Sequence, residues 1–553
     1  MMKHLLLTSV CICLCVISFA QSNPRYLVLY KDKANSPFSV DKPTDFLSQR
    51  SVTRRTRQNI PVTTNDLPVN PAYVAAVKQT GAQIIYSSRW FNGTLVEASA
   101  SQLEQIKKLS FYKGIELNLP VANLTSKTAG IERTAVVNNK LETTEDIDYG
   151  RMRDQLTLME VDQLHQKGFH GEGMLIAVLD DGFSQANQVG FLKQLFDEKR
   201  VVDTHDFVAR ETNVYNDGSH GLNVLSAMAA YLPATMVAIA FKATYALYRT
   251  ENNNSESPYE EITWLLGAER ADSLGVDVIN SSLGYTTFDG EFGTSAYNHT
   301  YQQMDGKTTI VSRAARFATR KGILVSNSAG NDGNKSWKYI AAPADVDSVL
   351  TVGATLYDRS YSAFSSVGPN AAGQQKPDIA AVGTGTVVGN TAGNAVTGNG
   401  TSFSSPQIAA LSAVLWQAYP NLTAQQIIYV LKKSGNQATR PDNLLGYGVP
   451  AMSKAEQIIK AEFAPLGTEN NVIRSIVLSP NPAVQNLTLT IPQSLIGKKA
   501  SLIIYQISGQ SVSDFQVLLS EKTDVKINAL STGLYLLKVR VGDQESALKF
   551  IKQ

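Results

Sequence analysis

The sequence predicts an α/β protein built on a largely parallel sheet flanked by helices, preceded by a small α+β unit and followed by a small all-β unit, a sandwich. Three observations predict it. Over residues 151–463 short apolar runs alternate with segments of helical period, as in a sheet whose faces are both covered by helices. Residues 21–120 read as strand, helix, strand, strand, helix, strand. From residue 472 to 553 the helical period stops and apolar–polar alternation replaces it.

Composition supports several cores. Of 553 residues, 43% are hydrophobic and 18% charged, with no sign of global disorder. Lys plus Arg number 50 and Asp plus Glu 48, a net charge of +2. That balance argues against nucleic-acid binding by phosphate neutralisation and against a polybasic membrane-surface protein.

Residues 1–20 are expected to be a secretory signal peptide. Lys3 and His4 lead an apolar run from Leu5 to Phe19, and Ser18 and Ala20 place small residues at the cleavage positions. All three cysteines, Cys11, Cys13 and Cys15, lie in this segment, so the expected product has no disulfide, thiolate nucleophile or Cys-ligated zinc.

In the α+β unit, Arg25–Tyr30 reads as a strand, Pro71–Gly81 as a helix, and Ile84–Tyr86 and Thr94–Ala98 as strands. Ser101–Leu109 has helical spacing at Leu103, Ile106 and Leu109. The basic run Arg50, Arg54, Arg55 and Arg57 reads as a solvated face. Residues 121–150 are polar and aperiodic, a linker expected to carry a processing site.

In the α/β unit, strands are expected at Met174–Leu179, Ala243–Arg249, Val276–Ser281, Ile323–Ser328 and Val349–Val352. Helices are expected at His220–Leu232, Pro258–Leu274, Thr309–Lys321, Ser402–Ala418, Thr423–Lys433 and Ser453–Phe463. Alternation at Leu487–Ile491, Val525–Ile527 and Leu537–Val541 marks the strands of the last unit.

Polar residues gather where such a sheet holds its ligands, at strand carboxyl ends and helix starts. Asp180 ends a buried strand and is followed by a turn at Gly182. His220 opens a helix with Gly221 behind it. Ser402 closes the glycine-rich Gly398–Thr401 loop and opens a helix, with Pro406 expected in the tolerant first turn. A serine hydroxyl needs a histidine to take its proton and a carboxylate to orient that histidine, and these three residues supply all three functions. The tetrahedral oxyanion needs donors, and Asn331 in Ser328–Gly333 offers an amide while the Ser402 backbone N–H offers the second.

These segments resemble those of the subtilases, the subtilisin-like serine proteases. Ile176–Gly182 is similar to the family's Asp motif, Ser219–Val224 to its His motif, Gly400–Pro406 to its Ser motif and Ser328–Gly333 to the oxyanion segment, all in the family's chain order. The resemblance implies a subtilisin-like fold and a substrate groove lined by the backbone of Ser282, Leu283 and Gly284. It departs at Leu222–Asn223 and at Asp181, a second carboxylate beside the first. Trp90–Glu97 and the helix after it resemble the subtilase propeptide, an intramolecular inhibitor with a ferredoxin-like fold. Leu478–Ala483, Ile504–Gln510 and Leu530–Tyr535 resemble the C-terminal sorting domain of type IX secretion substrates. Together they imply a zymogen exported through the periplasm and secreted or surface-held, with peptides as substrates and the secretion machinery as a partner.

His165, His170, His205 and His299 read as core or surface residues. Gly168, Gly171 and Gly173 precede their strand and so fail as a dinucleotide fingerprint. No cofactor is required, and a structural calcium near Glu260 and Glu261 has no support in the sequence. The competing readings are a non-catalytic binding module on a protease scaffold and a serine-carboxyl peptidase, which would need a glutamate at position 220.

Overall fold

The computed structural model describes residues 23–122, 147–463, 476–506, 509–542 and 544–553. The expected signal peptide and linker residues 123–146 lie outside the described residues. The chain divides into two compact units, Met1–Ile459 and Lys460–Gln553.

Seven strands form the central sheet, in the order Ile379–Val382, Leu350–Thr355, Leu324–Ser328, Val278–Ser281, Leu175–Asp180, Thr244–Arg249, Val201–Asp206. Every neighbouring pair is parallel. Leu175–Asp180 is buried along its whole length, which its unbroken apolar text requires. From this strand the chain runs out to one edge through Val201–Asp206 and returns at Thr244–Arg249. It then crosses to Val278–Ser281 on the other side. Leu175–Asp180 therefore sits at the switch point of the strand order, where open α/β sheets form their ligand crevice.

Two of the strands were not expected. Val201–Asp206 is a half-polar edge strand, and Ile379–Val382 is four residues long, so neither offers a clear apolar run. The helix His220–Ala229 ends earlier than expected, and Tyr231–Leu232 pairs with Met236–Val237 instead. The apolar text continues past the helix because Ala230 and residues 236–241 are buried as well.

The N-terminal residues form a four-stranded antiparallel sheet in the order Gln83–Ser88, Gly93–Glu97, Arg25–Tyr30, Tyr112–Ile115. One face packs Val28, Tyr30 and Val96 against Val77 and Ile106 from its own helices. The other packs Leu27, Leu95 and Trp90 against Tyr259, Ile262 and Leu266 of Pro258–Leu274. Trp90 also stacks on Phe317 of Ile310–Arg320, with ring centroids 5.7 Å apart.

The basic run is solvated only at Arg50 and Arg57. It forms the helix Gln49–Arg57, and Arg54 and Arg55 are 2% and 1% exposed. Asp272 on Pro258–Leu274 accepts from Arg54, from Arg55 (2.6 and 2.8 Å) and from Arg89. Arg55 also donates to Asp66 at 2.9 Å, but period alone cannot find the shared partner, because Asp272 lies more than two hundred residues away.

The second unit contains a three-stranded and a four-stranded antiparallel sheet. Leu487, Leu489 and Val525 of one share a core with Leu502, Ile504, Leu537 and Phe550 of the other, as in a sandwich.

Candidate active site

Asp180 is the last residue of Leu175–Asp180 and is fully buried. The chain then turns at Gly182, whose φ of +133° and whose closeness to the Asp217 carbonyl oxygen (2.1 Å from an added Cβ) exclude a side chain. His220 opens His220–Ala229. A Cβ on Gly221 would lie 2.3 Å from the Gly182 carbonyl oxygen and 3.0 Å from Asp180 Cβ, so only glycine lets this helix start reach the aspartate turn. The result is a 2.7 Å contact between His220 Nδ1 and Asp180 Oδ1. Asp180 Oδ1 also accepts from the Asp181 N–H at 2.9 Å.

Ser402 is the second residue of the buried helix Thr401–Ala418, so its N–H has no intrahelical acceptor. Gly400, at φ +152° and ψ 147°, makes the entry turn in a region open essentially to glycine. Ser405 ties the helix to the sheet through Asn280 Oδ1 at 3.0 Å. Pro406 lies in the second turn, not the first as expected. It has no N–H for the Ser402 carbonyl, which instead accepts from Ser282 Oγ at 2.9 Å. The Ser402 hydroxyl donates to the Ser282 carbonyl oxygen at 3.3 Å rather than to the imidazole. The Phe403 ring lies on the His220 ring, with centroids 5.8 Å apart.

Asn331 follows Leu324–Ser328. Its Oδ1 accepts from the Thr401 N–H at 2.9 Å and from Thr401 Oγ1 at 3.0 Å, and Thr401 Oγ1 in turn accepts from the Gly330 N–H at 3.2 Å. This clip fixes the amide with its oxygen toward Thr401 and leaves Nδ2 as the donor edge beside the start of the serine helix. The sequence had not singled out Thr401; its place between Gly400 and Ser402 was the available signal.

One cavity of about 430 Å³ is lined by Asp180, His220, Ser402, Ser282, Leu283 and Gly284 together. Asn331 is exposed and is joined to the start of the serine helix through Thr401. A second cavity, of about 440 Å³, lies against the N-terminal sheet, lined by Trp90, Lys113, Arg313, Arg316 and Glu116, whose carboxylate is paired with Arg313.

Electrostatics in the first cavity are unusual. Burial, then the charge of Asp180, pushes the Asp181 carboxyl up to about 6, although its Oδ1 accepts from the Gly221 N–H at 3.2 Å. Asp181 thus faces the site and not bulk solvent. Asn223, where the family commonly has another residue, donates to the Gly389 carbonyl oxygen and anchors the histidine helix from behind. Glu260 accepts from the Asn252 and Ser257 N–H groups, and Glu261 from the Val311 N–H at 2.9 Å, with His299 2.8 Å from its other oxygen. His165 sits in the core between Tyr149 (2.9 Å) and the Ile239 carbonyl oxygen (2.8 Å).

Comparison with known proteins identifies the families of three segments. The chain matches the Subtilase family over residues 171–448, the Peptidase S8 propeptide domain of Bacteroidota over 25–133, and the Secretion system C-terminal sorting domain over 478–553. It is 30% identical over 270 residues to the subtilisin of Bacillus pumilus, covering 48% of this chain and 84% of that protein. It is 29% identical over 292 residues to subtilisin NAT of Bacillus subtilis subsp. natto, 52% of this chain and 65% of that one, just under two thirds of its length. In fold it is similar to the epidermin leader peptide processing serine protease of Staphylococcus aureus, at a TM-score of 0.52 and 16% identity, covering 80% of this chain and all of that one. These likenesses make the protein a serine-type endopeptidase with a propeptide. The sorting domain makes it secreted or surface-held, and among the described residues no helix is long and apolar enough to cross a membrane.

Proposed function

The chain belongs to the subtilase family, and on that premise we propose that it is an exported zymogen whose triad is Asp180, His220 and Ser402. Ser402 Oγ attacks the scissile carbonyl while His220 Nε2 takes its proton, and Asp180 holds the imidazole through Nδ1. The tetrahedral oxyanion is held by Asn331 Nδ2 and the Ser402 N–H. Its collapse breaks the peptide bond, with the His220 proton passing to the leaving amine, and water then frees the acyl-enzyme by the same route. Ser282, Leu283 and Gly284 supply the backbone wall along which the peptide lies. Residues 21–120 act as the inhibitor, 121–150 as the processed linker, 151–463 as the peptidase and 472–553 as the sorting domain.

The observation that supports this most is the 2.7 Å Asp180–His220 contact in the wall of the cavity that also exposes Ser402. The serine rotamer does not count against it. A turn about one side-chain bond moves the hydroxyl, and catalytic hydrogen bonds often tighten only with substrate bound. Ser402→Ala should abolish peptide hydrolysis, a loss on the order of 10⁶-fold in kcat as for the nucleophile of subtilisin, and should block propeptide removal. Peptide cleavage and fluorophosphonate labelling, measured on both forms, check this; retained cleavage would remove Ser402 from the mechanism.

A further inference from the structure

The cavity shared by Ser402 and His220 holds an excess of acid. Asp180, Asp181, Glu251, Glu256, Glu260 and Asp289 line it, and among the described residues no lysine or arginine does. Some of these groups have local roles. Glu260 closes the capping box of Pro258–Leu274, and Glu251 accepts from Tyr285 OH at 2.7 Å and Thr250 Oγ1 at 2.9 Å. Such roles need hydrogen bonds rather than charge, and they do not explain why carboxyl groups gather around a nucleophile.

Two observations point to a cation from outside. Asp180 Oδ2 is fully buried in the cavity wall and has no hydrogen-bond partner. Glu251 and Glu260 are 8% and 1% exposed in the same lining as Glu256, and among the described residues no lysine or arginine side chain joins them there to neutralise the carboxyl groups. Burial and mutual repulsion accordingly hold Glu251 and Glu260 above the usual carboxylate range. Asp180 and Asp181 oxygens lie within 4.8 Å of each other and of a His220 nitrogen, but the four outer acids do not converge as a metal cage would. Among the described residues, Glu251, Glu256, Glu260 and Asp289 contribute to no group of three within 4.8 Å. The acid is spread along a channel, which suits a long side chain ending in a charge. Ser282–Gly284 forms one wall, and an extended peptide laid on it projects alternate side chains into the cavity.

We propose that this cavity is the subsite for a lysine or arginine side chain of the substrate, so that the enzyme prefers peptides with a cationic residue beside the bond it cuts. This rests on the protease reading above and adds the substrate class. An incoming ammonium or guanidinium replaces the protons that the glutamates hold. It also offsets the carboxylates that favour the His220 imidazolium, easing the return of that ring to a neutral base.

The test uses the full chain after self-processing, with active sites counted by a fluorophosphonate. Internally quenched peptides carry lysine, arginine or norleucine at each position in turn. The cationic residue is expected to raise kcat/KM about 10–100-fold over norleucine at one position, the gain from one or two charge-assisted hydrogen bonds. In the double variant Glu256→Gln, Asp289→Asn, which alters two exposed acids of the rim, that ratio should fall toward one. Equal rates for lysine and norleucine at every position overturn the proposal and leave the protease reading standing. An undiminished ratio in the double variant also overturns it, by placing the preference elsewhere. Calcium that competes with the lysine peptide in the wild type and not in the double variant would assign the acids to a metal, against the proposal. No labelling and no cleavage of any peptide would remove the protease reading and this one with it.

Discussion

At His220 opposed effects meet. Burial works against the charged ring, but the Asp180 carboxylate, its hydrogen bond, Asp181 and Glu251 outweigh it and push the imidazole up to about 9. A base must be neutral, so kcat/KM should rise with pH through this titration. Its acid limb is expected near pH 9, above the range of an ordinary histidine. Asp181 is itself ionised above about pH 6 and adds to the field, so Asp181→Asn should move the limb to lower pH. Rate profiles of both forms check this; coincident limbs would show that solvent at the 34% exposed His220 side chain screens Asp181. Asn331→Ala should cost ~10²–10³ in kcat with little change in KM, because its donor serves the transition state and not the ground state. Steady-state kinetics decide, and an unchanged kcat would exclude the amide. The proposed triad could be picked out in the sequence because the chemistry demands those residue types beside glycines that permit close approach. The influence of Asp181 was not, since a sequence shows that two carboxylates are neighbours but not how far each is buried.

At the scale of elements, the contact between Gln49–Arg57 and Pro258–Leu274 concentrates charge out of water. Burial disfavours the Asp272 carboxylate, yet Arg89, Arg54 and Arg55 hold it down at about 2. A carboxylate depressed in the folded state contributes stability above its ordinary pKa and loses it as pH falls. The N-terminal sheet should therefore stay seated at neutral pH and loosen between about pH 4 and 2 through this group. Asp272→Ala removes the carboxylate shared by three buried guanidinium groups, of which only Arg55 keeps a carboxylate partner, Asp66, and should weaken the zymogen by ~3–5 kcal/mol, the usual cost of breaking a buried pair from one side. Chemical denaturation of the Ser402→Ala zymogen, with and without Asp272→Ala, measures it; a change below about 1 kcal/mol would make the cluster incidental. The elements themselves were read unevenly from the sequence. Pro258–Leu274 is bounded by proline and a Ser257–Glu260 box at one end and Gly275, at φ +92°, at the other, and such stops are local. Gln49–Arg57 has no apolar stripe to announce it, and its buried arginines are explained by Asp66 nearby and by Asp272, which the fold brings to them.

The whole molecule repeats this division of labour. The first unit joins the N-terminal sheet and the parallel sheet through one continuous core, in which Leu27 and Trp90 belong to the same cluster as Trp264 and Ile279. The second unit, Lys460–Gln553, encloses its own core around Leu487, Leu502, Leu537 and Phe550. A unit with its own core and a boundary crossed by a single stretch of chain can fold by itself. Ending the chain after residue 463 should therefore leave peptide hydrolysis within about twofold of the full chain, since no group assigned to catalysis lies beyond Ser402. Calorimetry of the full-length Ser402→Ala form should show two transitions, and the shortened form should lose one and keep the other within a few degrees. Export should respond differently: in a host with type IX secretion, the shortened chain should collect in the periplasm while the full chain reaches the surface or medium. A shortened chain that unfolds or loses its activity would show that the sorting sandwich supports the peptidase as well as addressing it.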